Sequence, residues 1–528
     1  MFKILITDKL SQQGLARLEE ATDVVFDIVT GLSLDDLLER IPPYDALIIR
    51  SSVRITEEVL ARAGSLKVIG RAGVGIDNVD LNAASLRGVM VMNTPDANTI
   101  ATVEHTIAML LALCRHLPQA HQALKSGGWD RHAFAGTQLY RKTLGVIGLG
   151  RVGSRVAIRC QAFGMKVLAY DPYIGDDVAR ELKIKLVDLD ELLAQSDFIS
   201  LHTALTPDTE GLINAAQIAR MKDGVRLVNC ARGALINEAD LVEALRSGKM
   251  AGAALDVFAE EPLLPDSPLR ELDNVILTPH LAASTVEAQR DVSTKIVDQV
   301  LDALRGVDFR NTINMPVIDP KVFRELQPYL QLVEKVGSLQ TQLAEGRIAR
   351  VEVEFKGEAI SDHVKPLTVA LLKGLLDPVL EERVNYINAP HLARRRGITV
   401  SQTRGRETPD YPNLISCRAL WEDGQRVIAA TLFHRNEPRI VQIDQYRMDA
   451  RPAGHLLVVS SRDIPGVIGK LGTILGSHGI NIAAWRYGRT APGGDALSLL
   501  GIDSEATPDV IAELEAFEPV YEVKRVKL

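Results

Sequence analysis

The chain carries several residues whose types and spacing suit redox chemistry on an alcohol. The run GVIGLGRVG at 145–153 places Gly148, Gly150 and Gly153 in a G-x-G-x-x-G pattern at the end of an apolar stretch. Gly148 permits a tight turn and Gly150 lets the backbone approach a pyrophosphate. Gly153 brings the next helix against its strand, so that free N–H groups and the positive helix end face the phosphates. The pattern is weak by itself, but here RVGSRVAIRCQAF follows it, with Val152, Val156 and Phe163 spaced to face a sheet. Asp171 ends the next strand, VLAYD. A carboxylate there accepts hydrogen bonds from the adenosine ribose and repels a 2′-phosphate, which predicts NAD rather than NADP. The competing reading is a glycine turn beside a solvated Asp.

Hydride removal from a hydroxy acid also needs a base for the hydroxyl proton and a cation for the carboxylate. Arg232 follows the strand pattern VRLVNC, Glu261 follows GAALDVF, and His280 ends NVILTP. Arg offers a planar fork that holds a carboxylate bidentately. A carboxylate beside an imidazole fixes its tautomer and favours a base that can take and return a proton. Singly, the three read equally well as a surface cation, a helix-start acid and a satisfied core imidazole. Their joint placement at strand ends, where an open α/β sheet binds its ligand, favours a catalytic set.

Two sheets must position these residues. From KILITD to VMNTP, short β-branched runs alternate with helical patterns, and the alternation restarts at TLGVIGLG and continues to NVILTPH. This predicts two doubly wound parallel sheets of Rossmann type. A helix from about Thr99 to Cys114 lies between them, and a long one, STVEAQRDVSTKIVDQVLDALRG, ends at Gly306 as its C-cap. The prolines of NTINMPVIDP mark a domain boundary. Beyond it, 317–450 reads as mixed α+β, with ARVEVEFKG, RVIAATLFH and RIVQIDQYRMD as strands and VKPLTVALLKGLLDPVL as a helix. The tail from HLLVVSS onward reads as a small βαββαβ unit.

At 528 residues the chain is too long for one core, and its formal net charge of −8 argues against non-specific nucleic-acid binding. Its four cysteines include no C-x-x-C, so no disulfide framework and no metal site is expected. The short apolar stretch before Asp8 does not make a signal peptide and no segment approaches a membrane span, which predicts a soluble, cytoplasmic protein.

The segments GRAGVGIDNVD, GVIGLGRVG, NCARGALINEADLVEAL, AGAALDVFAEEP and NVILTPHLAAST closely resemble the D-2-hydroxyacid dehydrogenases, and the likeness covers nearly the whole chain. The resemblance implies Arg232 as substrate arginine, His280 as acid/base and Glu261 as its partner. It implies cofactor contacts at Arg151, Val152, Asp171, Thr203, Cys230, Ala231, Arg232, Asp256, His280 and Ala283, the last commonly Gly in the family. Substrate contacts fall on Arg50, Ser51, Val74, Gly75, Asn98 and Arg131, with Arg131 reaching a neighbouring subunit. Arg50 with the GRAGVG turn also reads as an anion cradle without the family, against a solvated strand end.

The resemblance implies domains at 1–98 with 283–312 (substrate), 99–282 (NAD), 317–450 (the intervening domain of the longest members) and 453–528. That last segment, SSRDIPGVIGKLGTILGSHGINIAA in particular, resembles an ACT domain, which implies a serine effector at Ser461, Asp463 and Asn481. Ser461 stands where other members carry His or Tyr, and a purely structural dimerisation module is the alternative. Arg394, Arg395 and Arg396 read as an effector phosphate site or as a solvated basic face. The implied reaction is oxidation of a phosphorylated hydroxy acid, 3-phospho-D-glycerate, by an NAD-dependent homo-oligomer. The rivals are a relative acting on glyoxylate, hydroxypyruvate or 2-hydroxyglutarate, and an NAD-sensing protein like the C-terminal-binding-protein corepressors.

Overall fold

The computed structural model describes residues 1–315, 320–405, 410–434 and 436–528, and leaves aside the side chains of 320 and 321. The boundary expected at 311–320 falls partly on 316–319, outside the described residues.

The first sheet contains β1 (Phe2–Ile6), β2 (Val24–Ile28), β3 (Ala46–Ile49), β4 (Val68–Arg71) and β5 (Met90–Met92), all parallel in the order β2-β1-β3-β4-β5. Alternate residues of its strands enter two different cores. Leu5, Leu47 and Ile69 pack on one face, and Ile4, Ile6, Ile48 and Val68 on the other. The second face is covered by the helix Val286–Arg305 through Val292, Ile296, Val297, Val300 and Leu301. Each such apolar side chain contributes about 1.5–3 kcal/mol of burial free energy. Gly306, at φ 71°, ends that helix in the left-handed conformation the sequence called for.

The second sheet contains β6 (Thr143–Ile147), β7 (Lys166–Tyr170), β8 (Lys185–Leu186), β9 (Phe198–Leu201), β10 (Val225–Asn229), β11 (Met250–Leu255) and β12 (Val275–Leu277), in the order β12-β11-β10-β9-β6-β7-β8. This is the dinucleotide-binding order with one added strand, and its topological switch lies between β6 and β9. Six strands were legible in sequence. The seventh, β8, is two residues long, too short for any periodic signal. The helix Thr99–Arg115, which follows the first sheet, packs Val103, Met109, Leu110 and Leu113 on the second. The chain thus passes between the two sheets on both sides of the second one, through the helices that begin at Thr99 and Val286.

The third sheet runs β14-β13-β15-β16-β17-β18, with β13 (Arg350–Lys356), β14 (Thr399–Gly405), β15 (Leu414–Trp421), β16 (Gly424–Phe433), β17 (Glu437–Ile443) and β18 (Tyr446–Ala450). RIVQIDQYRMD, expected as one strand, is instead a hairpin. Asp444 at φ 51° turns the chain between β17 and β18, a conformation Asp tolerates better than most residues. The strands β14 and β15 and the long helix Pro320–Leu343 were not read from the sequence.

The tail forms β19 (His455–Arg462), β20 (Ile482–Arg489), β21 (Asp495–Ile502) and β22 (Val520–Lys527), antiparallel in the order β20-β21-β19-β22, with a helix after β19 and another after β21. One sheet face packs Leu457, Val459 and Leu500 on those helices, while Leu456, Val458, Leu497 and Leu499 enter the core of the third sheet. The last two sheets therefore share one hydrophobic core. They meet the first sheet's unit through a Phe309–Phe323 edge contact and through Asn385 Nδ2, which donates to Gly88 O at 2.7 Å.

Candidate active site

The carboxyl ends of the parallel strands of both sheets open on one cleft of about 880 Å³. It brings together Arg50, Ser51, Val74, Gly75, Asn98, Arg232, Glu261, His280 and Ala283 from the sequence-derived set.

His280 follows β12 in a left-handed backbone conformation, φ 53°, which a non-glycine residue holds only when its surroundings fix it. Asp256, at the end of β11 and fully buried, does so. Its carbonyl accepts the N–H of His280 at 2.9 Å, and its carboxylate accepts those of Leu281 at 2.7 Å and Ala282 at 2.9 Å. Thr278 Oγ1 donates to the same carboxylate at 2.6 Å, and His105 Nε2 lies 3.1 Å away. Burial works to raise the Asp256 pKa, but the bonds from His105, Thr278 and the two amides outweigh it and hold the carboxyl below its ordinary value. Expected as a cofactor contact, Asp256 is thus engaged in holding the His280 loop.

Glu261 Oε2 stands 2.7 Å from His280 Nδ1, and its Oε1 accepts the Phe258 N–H at 3.1 Å. A carboxylate acceptor at Nδ1 places the proton there and leaves Nε2 as the acceptor for a substrate hydroxyl. Partial burial raises the Glu261 pKa. The hydrogen bond and charge of His280, with the Phe258 amide, outweigh it, so the carboxyl sits below its usual range.

Arg232 follows β10. Its Nε donates to Asp77 Oδ2 at 2.9 Å, from the first sheet's unit, and its Nη1 to Ala231 O at 2.8 Å. A Cβ on Gly75 would lie 2.0 Å from its Nη2, so only glycine lets the guanidinium lie against the GRAGVG turn. Asn98 starts the helix Thr99–Arg115 without a side-chain cap, leaving first-turn N–H groups at the cleft. Arg50 follows β3, its N–H donating to Asp8 Oδ2 at 2.7 Å.

Arg71, passed over in the sequence although it lies inside the GRAGVG segment, also lines the cleft. Its Nε is buried without a hydrogen-bond partner. Burial, then the charges of Arg232 and Arg50, push its pKa down to about 10. An anion is the group that would satisfy it. His105 was missed as well, because nothing local couples it to Asp256, 151 residues away.

The glycine turn lies at the switch between β6 and β9. Gly148 has φ 91°, and a Cβ there would lie 2.7 Å from His202 C and 2.8 Å from Thr203 N. A Cβ on Gly153 would lie 1.9 Å from Gly148 O, whereas the space at Gly150 is open. Gly150 caps the helix Arg151–Ala162 with no side chain on its N–H groups. This cradle fits a pyrophosphate. Asp171 follows β7 and braces the turn, accepting Leu149 N at 2.8 Å and Tyr173 N at 2.9 Å. Arg151 Nε pairs with Asp96 Oδ1 at 2.6 Å, and Val152 packs against the sheet core. Cys230 is buried, its thiol pushed up to about 12 by burial, so it lines the fold as an unreactive group. Ala231 N donates to Asn229 Oδ1 at 3.0 Å, fixing the strap that carries Arg232.

The remaining candidates lie elsewhere. Arg131 is on the exposed segment after the helix Leu117–Lys125 and does not line the cleft. In the tail, Asp463 is taken by Tyr487 Oη at 2.7 Å and Arg489 Nη1 at 3.0 Å, Asn481 donates to Asp503 at 2.6 Å, and Ser461 is fully buried. Among the described residues no single helix is long and apolar enough to cross a membrane.

Residues 107–282 match the family model of the D-isomer specific 2-hydroxyacid dehydrogenase, NAD binding domain, and residues 325–444 that of the D-3-phosphoglycerate dehydrogenase intervening domain. The chain is 43% identical to a D-3-phosphoglycerate dehydrogenase of Synechocystis sp., covering 100% of this chain and 95% of the relative. It is 42% identical to the enzyme of that name from Archaeoglobus fulgidus, over 100% of both chains. A D-lactate dehydrogenase from Aquifex aeolicus, solved with NAD and lactic acid, superposes with a TM-score of 0.53 at 33% identity, covering 57% of this chain and 96% of that one. With its glycine cradle, its Glu261–His280 pair and these full-length relatives, the chain belongs to the D-3-phosphoglycerate dehydrogenase family of NAD-binding D-2-hydroxyacid dehydrogenases.

Proposed function

We propose that the cleft oxidises the C2 hydroxyl of 3-phospho-D-glycerate to the ketone of 3-phosphohydroxypyruvate, the first step of serine synthesis. The observation that carries this reading is the convergence of Arg50, Arg71 and Arg232 on the cleft that holds the Glu261–His280 pair. One guanidinium suffices for the carboxylate of a simple hydroxy acid. Two more, one with a buried unpartnered Nε, call for a second and stronger anion, such as a phosphate.

The turn of Gly148, Gly150 and Gly153, with Asp171, would hold NAD, which would supply the acceptor for the C2 hydride. Arg232 holds the substrate carboxylate, and Arg50 and Arg71 the phosphate. His280 Nε2 takes the hydroxyl proton as the ketone forms, and the Glu261 carboxylate stabilises the resulting imidazolium. Closure of the two sheet units over the cleft excludes water. NADH formation from 3-phosphoglycerate by wild type and by His280→Ala tests the assignment, and equal rates would remove His280 as the base. The same assay separates the enzyme from an NAD-sensing protein, which binds NADH with negligible flux. Comparison with unphosphorylated 2-hydroxy acids separates it from the other dehydrogenases.

In this reading 1–98 with 283–312 is the substrate domain, 99–282 the NAD domain, 317–450 the intervening domain and 453–528 an ACT domain answering to serine. The protein is a cytoplasmic homo-oligomer. The helix Leu117–Lys125 buries none of its residues, and Leu117, Leu124, Trp129 and Tyr140 near it are all more than half exposed, which is the apolar surface a second copy would cover. Arg131 lies on the same stretch and would reach the neighbouring cleft. Leu124→Glu is expected to yield monomers in sedimentation velocity.

A further inference from the structure

Gln289 lies in the second turn of the helix Val286–Arg305, which begins just past the loop that carries His280, and it lines the catalytic cleft. Its Nε2 donates to Ala283 O at 2.7 Å, and its Oε1 accepts from Arg50 Nη1. Ala283 directly follows Leu281 and Ala282, whose amides are fixed by Asp256. A single side chain thus joins the segment that follows His280 to a cation on β3's end.

A primary amide suits this position chemically. It offers an acceptor and a donor at once, so it can orient a guanidinium and a carbonyl together. It is also neutral, so it orients Arg50 without cancelling the charge that an incoming anion must meet. A carboxylate of the same shape would form an ion pair with Arg50 and would face the Ala283 carbonyl with no proton to donate. An apolar side chain of similar length would leave Arg50 free to swing and the carbonyl unpaired.

We propose that Gln289 is a positioning and specificity-determining residue, which presents Arg50 to the phosphate of the substrate and ties that contact to the His280 loop. The inference rests on the reading of Arg50 as a phosphate ligand. Gln289 touches no reacting atom. Its effect is felt in the affinity for phosphorylated over unphosphorylated substrates, and less in turnover.

The test is steady-state reduction of 3-phosphohydroxypyruvate and of hydroxypyruvate by the full-length protein, for wild type, Gln289→Glu, Gln289→Met and Arg50→Ala. Where hydroxypyruvate turns over too slowly, its Ki replaces its KM. Gln289→Glu is expected to raise the KM for the phosphorylated substrate by about tenfold or more, the loss of one charge-assisted contact. Its NADH affinity and its hydroxypyruvate constant should stay within about twofold. Gln289→Met should show the same selectivity with a smaller rise, and it carries the test if the glutamate variant does not fold. An unchanged KM for the phosphorylated substrate in both variants, or equal losses on both substrates, overturns the proposal. Arg50→Ala separates the two layers. If it leaves that KM unchanged, the phosphate reading of Arg50 fails. If it raises the KM while the Gln289 variants do not, the role of Gln289 alone is lost.

Discussion

His280 is fastened to Asp256 on two sides: its own N–H donates to the Asp256 carbonyl at 2.9 Å, and the N–H of the next residue donates to the Asp256 carboxylate at 2.7 Å. His280 is therefore placed by a buried carboxylate 24 residues earlier in the chain, and the imidazole itself is half exposed, at 51% of its side chain. Asp256→Asn keeps the shape but sets an NH₂ where the Ala282 amide now donates to Oδ2. One buried N–H then loses its acceptor, which costs about 1–3 kcal/mol. Urea denaturation should show a loss of that size, and kcat should fall with it as the loop loosens.

Glu261 yields a pH prediction. Its folded pKa lies below the unperturbed 4.5, so its contribution to stability is present above that value and is lost as pH falls through the lower folded one. Glu261→Gln has no such titration. The stability gap between wild type and this variant should be present above pH 4.5 and should close as pH falls below it through the lower folded value. At neutral pH the variant should also lose roughly 10²–10⁴-fold in kcat, since an amide cannot stabilise the imidazolium that forms at His280. Denaturation midpoints across the pH series, with kcat at neutral pH, check both parts.

Arg71 is expected to show opposite effects on stability and affinity. Burial and two like charges depress its pKa, so the folded protein without an anion holds it at a cost. Arg71→Met should raise the melting temperature of the ligand-free protein while raising KM for the phosphorylated substrate. Added inorganic phosphate should stabilise wild type in proportion to its binding and the variant much less. Thermal melts with and without phosphate decide this, and a variant that is both less stable and equally responsive to phosphate contradicts it.

The legible parts of the site were those with a local chemical reason. The glycine turn, Asp171 and the three strand-end residues each sit where an apolar run stops, so periodicity located them. His105 and Gln289 were invisible for the converse reason. Both lie on helices where they read as ordinary polar positions, and their partners, Asp256 and Arg50, are brought near only by the packing of each helix on its own sheet. The same limit explains the hairpin at Asp444: RIVQIDQYRMD reads as one strand because no Gly or Pro lies between Arg439 and Asp449, and the turn rests on an Asp in the left-handed region. The shared core of the last two sheets was hidden too, since the unbroken apolar run Leu456–Val459 in β19 marks both faces as apolar without saying what covers the second.

The glycine turn separates cofactor binding from folding in a measurable way. A Cβ on Gly153 would stand 1.9 Å from the carbonyl oxygen of Gly148, a backbone atom that cannot swing aside, so Gly153→Ala must push the helix Arg151–Ala162 off its strand. At Gly150 a Cβ meets nothing within 4 Å in the protein, and φ there is an ordinary −72°. Gly150→Ala should therefore fold with an unchanged melting temperature yet bind NADH far more weakly, because the methyl group occupies the approach of the pyrophosphate. Gly153→Ala should lose both. NADH fluorescence titration beside thermal melts distinguishes the two, and a Gly150→Ala variant that binds NADH like wild type would place the dinucleotide somewhere other than this turn.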